Sequence, residues 1–484
     1  MNKYLMKVVE EKNLKEKFKY LDYFLINNLI NIKEVEDYYV KNVSMDILNF
    51  ALFAEENCYD INVARLEDAI IDCENIDRLT RVNCIYYFAR YIKGANISKL
   101  EDAIIKRGII KDIFDFAIRV KGANISKLED AIIKREIIED IYDFAIRVKG
   151  ANISKLEDAI IESKCEKRVK LRYIYDFAIK VKGANISKLE DVVIKSGNLK
   201  FIVWFARDVK GANINKLEDA IIKGGISFSS SYLSPLFIFE FARDVKGANI
   251  SKLEDAVIQC EKLRLDDYCK RIYYFASDIK GANISKLEDA IIKRQNVEWM
   301  YLFAKDIEGA NISKLEDAII QCKIQFKNKD LYDRYIKYIF RFARDVKGAN
   351  ISKLEDVIIQ SEKEIFLYYD FLRPYDVLIF RFAKEVKEAN INKLEDIIIK
   401  YNHPHVMLGF AKEVKGANIS KLEDAIIACG NPEYIIKFSQ YVPEANLSKL
   451  KEAYEELFVK VNSEECENSA EKDVKKKVRK IEEN

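Results

Sequence analysis

Histidine is nearly missing from this chain, with only His403 and His405 among 484 residues. A histidine-based catalytic set or a multi-histidine metal site therefore has almost nothing to build on. The nine cysteines contain no Cys-x-x-Cys pair, and no His-Glu-x-x-His, P-loop or dinucleotide glycine fingerprint occurs. Proline occurs five times and glycine sixteen times, which suits an all-α protein. Net charge is small too, at +2: 81 Lys and Arg face 79 Asp and Glu. A general nucleic-acid or anionic-membrane binder carries a clear basic excess instead. No apolar run reaches the length of a membrane span, and Met1-Asn2-Lys3-Tyr4-Leu5-Met6-Lys7 turns charged too soon for a secretory signal. An odd number of scattered cysteines reads as reduced thiols. The expectation is a cytoplasmic protein with no catalytic residues, no cofactor and no metal. His403 and His405 flank Pro404 as a plain loop, with no third ligand nearby.

What the chain does contain is one decapeptide, many times over. Lys93-Gly94-Ala95-Asn96-Ile97-Ser98-Lys99-Leu100-Glu101-Asp102 recurs unchanged from Lys121, Lys149, Lys182, Lys246, Lys280, Lys347 and Lys415. Single-residue variants start at Lys210 and Glu308, and looser copies at Tyr59, Lys387 and Pro443, making thirteen in all.

Before each copy runs a helical pattern. Ile85, Phe88, Ala89 and Ile92 lie at i, i+3, i+4 and i+7, on one face of a helix, here called A. Gly94 stands where such a helix ends in a left-handed residue. Ser98 and Glu101 read as a capping box opening a second helix, B, with Asn215 and Asn392 as substitute caps. Leu100, Ala103 and Ile104 form the buried side of helix B. Asp102 has Lys106 four residues on, the favourable order for a helix-surface ion pair. The turn lysines complement the dipole at the end of helix A. The asparagine present in all thirteen copies is either a ladder of ligands or a local bond to turn backbone.

The asparagines stand at 62, 96, 124, 152, 185, 213, 249, 283, 311, 350, 390, 418 and 446. Six of the intervals are 28 residues, which sets the unit; the others carry insertions between helix B and the next helix A. Insertions gathered on one edge of a repeat array often mark its binding face. One is basic (Lys164, Lys167, Arg168, Lys170, Arg172) and is a candidate phosphate or anion site. Two are aromatic, with Phe326, Tyr332 and Tyr335 in one and Phe366, Tyr368, Tyr369, Phe371 and Tyr375 in the other. These eight are the candidate partner-binding residues. The competing reading is that the insertions extend helix A and pack locally.

The expected fold is an all-α solenoid of about 13 two-helix repeats, capped at both ends. Residues 1–45 would be an N-terminal helical cap, 46–458 the array, and 459–484 a charged tail, disordered or a solvated helix. In architecture alone, residues 45 to 458 resemble the helical-hairpin solenoids of the HEAT and armadillo class. That resemblance implies a scaffold that binds partners and performs no chemistry itself. A protein partner, held by an inhibitor or adaptor, fits the chemically uneven insertions. The alternative is a nucleic-acid or nucleotide binder using the basic and aromatic insertions.

Overall fold

The computed structural model describes residues 2–227, 234–260, 264–322, 329–366 and 378–462. Among them are 29 helices and no strand. They divide into two compact units: Met1–Gly224 with Asp244–Gly247, and Gly225–Arg243 with Ala248–Asn484. Each unit is an all-α solenoid of stacked hairpins, in which a helix packs on its chain neighbours and on the equivalent helix of the next hairpin.

One 28-residue hairpin of the N-terminal unit explains the rest. Helix A, Ile110–Arg119, buries Ile113, Phe114, Phe116 and Ala117, and the chain leaves it through buried Val120. Gly122 then takes φ +88°, a left-handed value that a side chain makes costly. Helix B, Ile125–Ile133, buries Leu128, Glu129 and Ile132. The repeated phenylalanine is fully buried from Phe88 to Phe205 in the N-terminal unit. In the C-terminal unit the equivalent phenylalanines, from Phe241 through Phe303 to Phe438, are fully buried too. The repeated leucine of helix B is likewise buried, at 0 % exposure from Leu66 to Leu450.

Helix B starts one cap earlier than the sequence pattern implies. Its N-cap is the asparagine, whose Oδ1 accepts the N–H of the lysine three residues on: Asn96 from Lys99 at 3.1 Å, Asn124 from Lys127 at 3.2 Å. Ser98 is already inside the helix and exposed, so the expected capping box is not formed. Asparagine wins because its short amide reaches the free N–H groups of the first turn while its own backbone remains extended. The repeated asparagine is thus a local backbone partner rather than an unoccupied ladder. Replacing Asn249 with alanine is expected to cost about 1 kcal/mol. Replacing Ser251, two residues later, should stay within about 0.5 kcal/mol. Urea melts of the two variants compare them directly.

The unequal spacings have a simple cause. Hairpins on the 28-residue spacing have a helix A of 10 residues, as in Ile138–Arg147, Leu199–Asp208 and Val297–Asp306. After longer spacings helix A has 14 residues in Arg78–Tyr91, Lys167–Lys180 and Leu265–Asp278, and 17 in Lys329–Asp345. Four added residues make about one further turn. Helix B absorbs the excess in Ile214–Ser227 and Ile351–Phe366. Most described insertion residues therefore lengthen a helix at the junction edge.

The array also begins earlier than its sequence signal. Asn31 caps Ile32–Lys41 by accepting from Lys33 N–H at 2.9 Å. Asn31-Ile32-Lys33-Glu34-Val35-Glu36-Asp37 thus matches Asn96 to Asp102 at the asparagine and at the Glu-Asp pair. Ile32–Lys41 packs on Val63–Asp72 and on Asp46–Glu56, inside the segment expected only to cap the stack.

Candidate partner-binding surfaces

Most of the decapeptide is occupied in joining one hairpin to the next. Glu101 is 1 % exposed, and its Oε1 accepts the backbone N–H of Asn124, in the following hairpin, at 2.8 Å. The ammonium of Lys127 lies 2.6 Å from Asp102 and 3.8 Å from the other Glu101 oxygen. Glu67–Asn96, Glu129–Asn152, Glu157–Asn185 and Glu190–Asn213 repeat the first bond in the N-terminal unit at 2.5–2.7 Å. Glu254–Asn283, Glu288–Asn311, Glu316–Asn350, Glu355–Asn390, Glu395–Asn418 and Glu423–Asn446 repeat it in the C-terminal unit at 2.7–2.8 Å. The ion pair recurs as well, for example in Lys393–Asp356 at 2.5 Å and in Lys216–Asp191. Even helix Ile32–Lys41 takes part: Glu36 accepts Asn62 N–H at 3.1 Å, and Arg65 pairs with Asp37 at 2.5 Å.

Asp102 therefore looks across to Lys127, and the expected pairing within its own helix with Lys106 is replaced. The neighbouring hairpin offers a fixed cation over a buried carboxylate, a stronger attraction than a solvated pair on one helix.

Burial raises several of these glutamates, among them Glu67, Glu157, Glu316 and Glu395. Burial pushes Glu101 above the ordinary carboxylate range, against the pull of Asn124 N–H and Lys127. The hydrogen bond from Lys216 draws the half-buried Asp191 below the ordinary carboxylate range. A raised acid contributes stability below its unfolded pKa and loses that contribution as pH rises through its folded pKa. Glu101→Gln keeps the acceptor and removes the charge. Its stability relative to the parent should accordingly grow as pH rises from about 4.3, the ordinary glutamate value, to 7. Paired urea melts across that range read the slope, and a difference that shrinks with rising pH contradicts it.

A second register lies in the last turn of helix A. From Asp208 onward most hairpins place an acid here, and the preceding hairpin reaches it. Tyr175 donates to Asp208 at 2.6 Å, Tyr273 to Asp306 at 3.1 Å and Tyr301 to Asp345 at 2.7 Å. Arg344 reaches Glu385 at 3.0 Å, and Lys384 reaches Glu413 at 2.7 Å. Tyr175 also lies against Trp204 in the N-terminal unit, and Tyr273 against Trp299 in the C-terminal unit. Sequence reasoning missed this register. Its signal was there: the residue four after the repeated phenylalanine's preceding neighbour changes from Arg or Lys to Asp or Glu along the chain.

At the junction edge, Lys164 is exposed and 3.6 Å from Glu136. Lys170 donates to the Ile161 carbonyl at 3.1 Å, and Arg172 lies 4.0 Å from Asp176. Lys167 and Arg168 open helix A, exposed, at the helix end where a cation opposes the dipole. Tyr335 is fully buried, its hydroxyl 3.2 Å from the Ile320 carbonyl, which makes it a core residue. Tyr332 is carried by Lys329–Asp345 and Phe366 ends Ile351–Phe366. Phe326, Tyr368, Tyr369, Phe371 and Tyr375 lie outside the described residues.

His403 precedes helix Pro404–Glu413, and the His405 ring centre is 6.0 Å from that of Tyr434. Among the described residues no three His, Cys, Asp or Glu side chains are grouped to hold a metal, and no helix is long and apolar enough to cross a membrane. The described cysteines form no disulfide. No protein-family model matches the chain, and no curated protein matches its sequence.

Proposed function

We propose that this protein is a non-enzymatic helical-repeat scaffold, of the general kind formed by HEAT and armadillo hairpins, that binds a partner protein through the variable junction edge. The observation that supports this reading is the division of labour along each hairpin. Gly, Asn, Leu, Glu, Lys and Asp of the decapeptide have structural partners, and this accounts for their constancy. A surface repeated on every hairpin gives a folded partner no means to recognise one place. The junctions differ in length, charge and aromatic content, and aromatic residues there supply binding energy efficiently. An inhibitor or adaptor role follows from a scaffold without chemistry of its own.

The test trims the insertions before Phe342 and Phe382 back to the 28-residue spacing. Helicity by circular dichroism should survive, because shorter hairpins such as Ile138–Arg147 with Ile153–Glu162 are complete. A partner recovered with the parent from its native host should be lost. Undiminished recovery moves the site elsewhere.

A second reading rests on Lys167 and Arg168, cations that local structure does not call for. In that reading the basic junction binds nucleic-acid phosphates, with affinity falling steeply as salt rises. A gel shift at low salt with Lys164, Lys167, Arg168 and Lys170 replaced by alanine tests it; absence of any complex with the parent removes it.

A further inference from the structure

Three successive hairpins of the N-terminal unit leave an isoleucine in the open at the last turn of helix A. Ile118, Ile146 and Ile179 are 43–45 % exposed. Their helices, Ile110–Arg119, Ile138–Arg147 and Lys167–Lys180, pack side by side, so the three side chains share one register. The hairpin itself does not demand them. At the same position later hairpins carry Arg207, Lys305, Arg344 and Lys384, above the same buried phenylalanine.

Charge at this place is also particular to these hairpins. The next residue is Arg119, Arg147 or Lys180, each exposed, where Asp208, Asp306 and Asp345 stand further on. Their partners are carboxylates one turn back in the same helix, at 3.6, 3.9 and 3.7 Å. Two residues later come Lys121, Lys149 and Lys182, exposed and without an ion-pair partner among the described residues. An apolar row therefore lies beside two cationic rows, of which only one is neutralised.

We infer that this strip docks an extended acidic peptide segment with an apolar residue at every third position. Neighbouring helices pack about 8–10 Å apart, and a polyproline-II chain advances about 9 Å in three residues. Apolar side chains at that interval cover the isoleucines in turn, and the intervening Asp and Glu meet the cations. About seven residues span three helices at this rise. Nucleic acid would find charge but no stacking surface, since none of the strip residues is aromatic. The strip sits at the opposite end of helix A from the junctions and does not depend on the partner proposed for that edge.

The experiment uses the full chain and a dye-labelled peptide, Leu-Glu-Asp-Leu-Glu-Asp-Leu between glycines, followed by fluorescence anisotropy. Replacing Ile118, Ile146 and Ile179 together by serine should weaken binding about tenfold or more. Lys121→Glu, Lys149→Glu and Lys182→Glu together should do the same, and a peptide with lysine in place of the acids should not bind. Both sets lie on the surface, so their thermal melts should match the parent. Trimming the junctions before Phe342 and Phe382 should leave peptide binding unchanged. The proposal is overturned by no binding at millimolar protein, or by equal binding to the serine variant. Tighter binding to an oligothymidine overturns it in favour of nucleic acid. Self-association of the parent that the serine set abolishes, seen by sedimentation velocity, assigns the strip to a second copy instead.

Discussion

Replacing Glu101 with alanine is expected to destabilise the N-terminal unit by about 1.5–3 kcal/mol, the range for losing a hydrogen bond to a charged group. The bond lost is Asn124 N–H to Glu101 Oε1, between residues 23 apart in sequence and in successive hairpins. Alanine leaves that N–H without its acceptor and Lys127 with Asp102 as its remaining ion-pair partner. Ser98→Ala serves as the internal control, because Ser98 is exposed and outside the cap. Urea melts give the cost, and faster amide exchange at Asn124 localises it. Equal losses for the two variants would restore the capping box within one helix and remove the bond between hairpins from the account. Since each hairpin of a solenoid couples to its neighbours, the loss should widen as well as lower the transition of that unit.

Phe303→Ala should cost more, about 3–5 kcal/mol, as large-to-small substitutions in a well-packed core do. Phe303 has no exposed surface, and it belongs to the column that includes Phe275 and Phe342 in the same unit. Removing the ring opens a cavity between helices held on both sides, where little can collapse inward. Trp299, on the same helix but only half-buried, is the comparison: its replacement by alanine loses less because solvent already reaches it. Urea denaturation followed at 222 nm, with guanidinium as a second denaturant, separates the two. A cost for Phe303→Ala no greater than for Trp299→Ala would show that the phenylalanine column does not carry the core.

The hairpin was legible because its signals are local. Phe116 and Ala117 with Val120, then Gly122, then Leu128 with Ile132, state a helix, a left-handed stop and a second helix without reference to any other part of the chain. The cap was misplaced by two residues because serine and asparagine are both strong caps, and Ser98 with Glu101 mimics a capping box. The helix cap at Asn31 was hidden because the turn before it has lost the Lys-Gly pair, although the Glu-Asp pair remains. Of the proposed site, the basic junction was visible as composition. Tyr335 was not recognisable as core, because an aromatic in an insertion looks the same whether it extends a helix inward or faces solvent.

By itself the sequence determined the two-helix unit, its 28-residue period and the residues that fill its core. Those follow from helical periodicity, which fixes each side chain relative to its neighbours within a turn or two. Only the tertiary structure decided where Glu101 and Asp102 find their partners. A carboxylate has several donors within reach of its own helix, and burial against the next hairpin is what withdraws it from water and selects Asn124 N–H and Lys127. The same stacking decided that Ile118, Ile146 and Ile179 fall in one exposed register, a property of three helices side by side that no single helix contains.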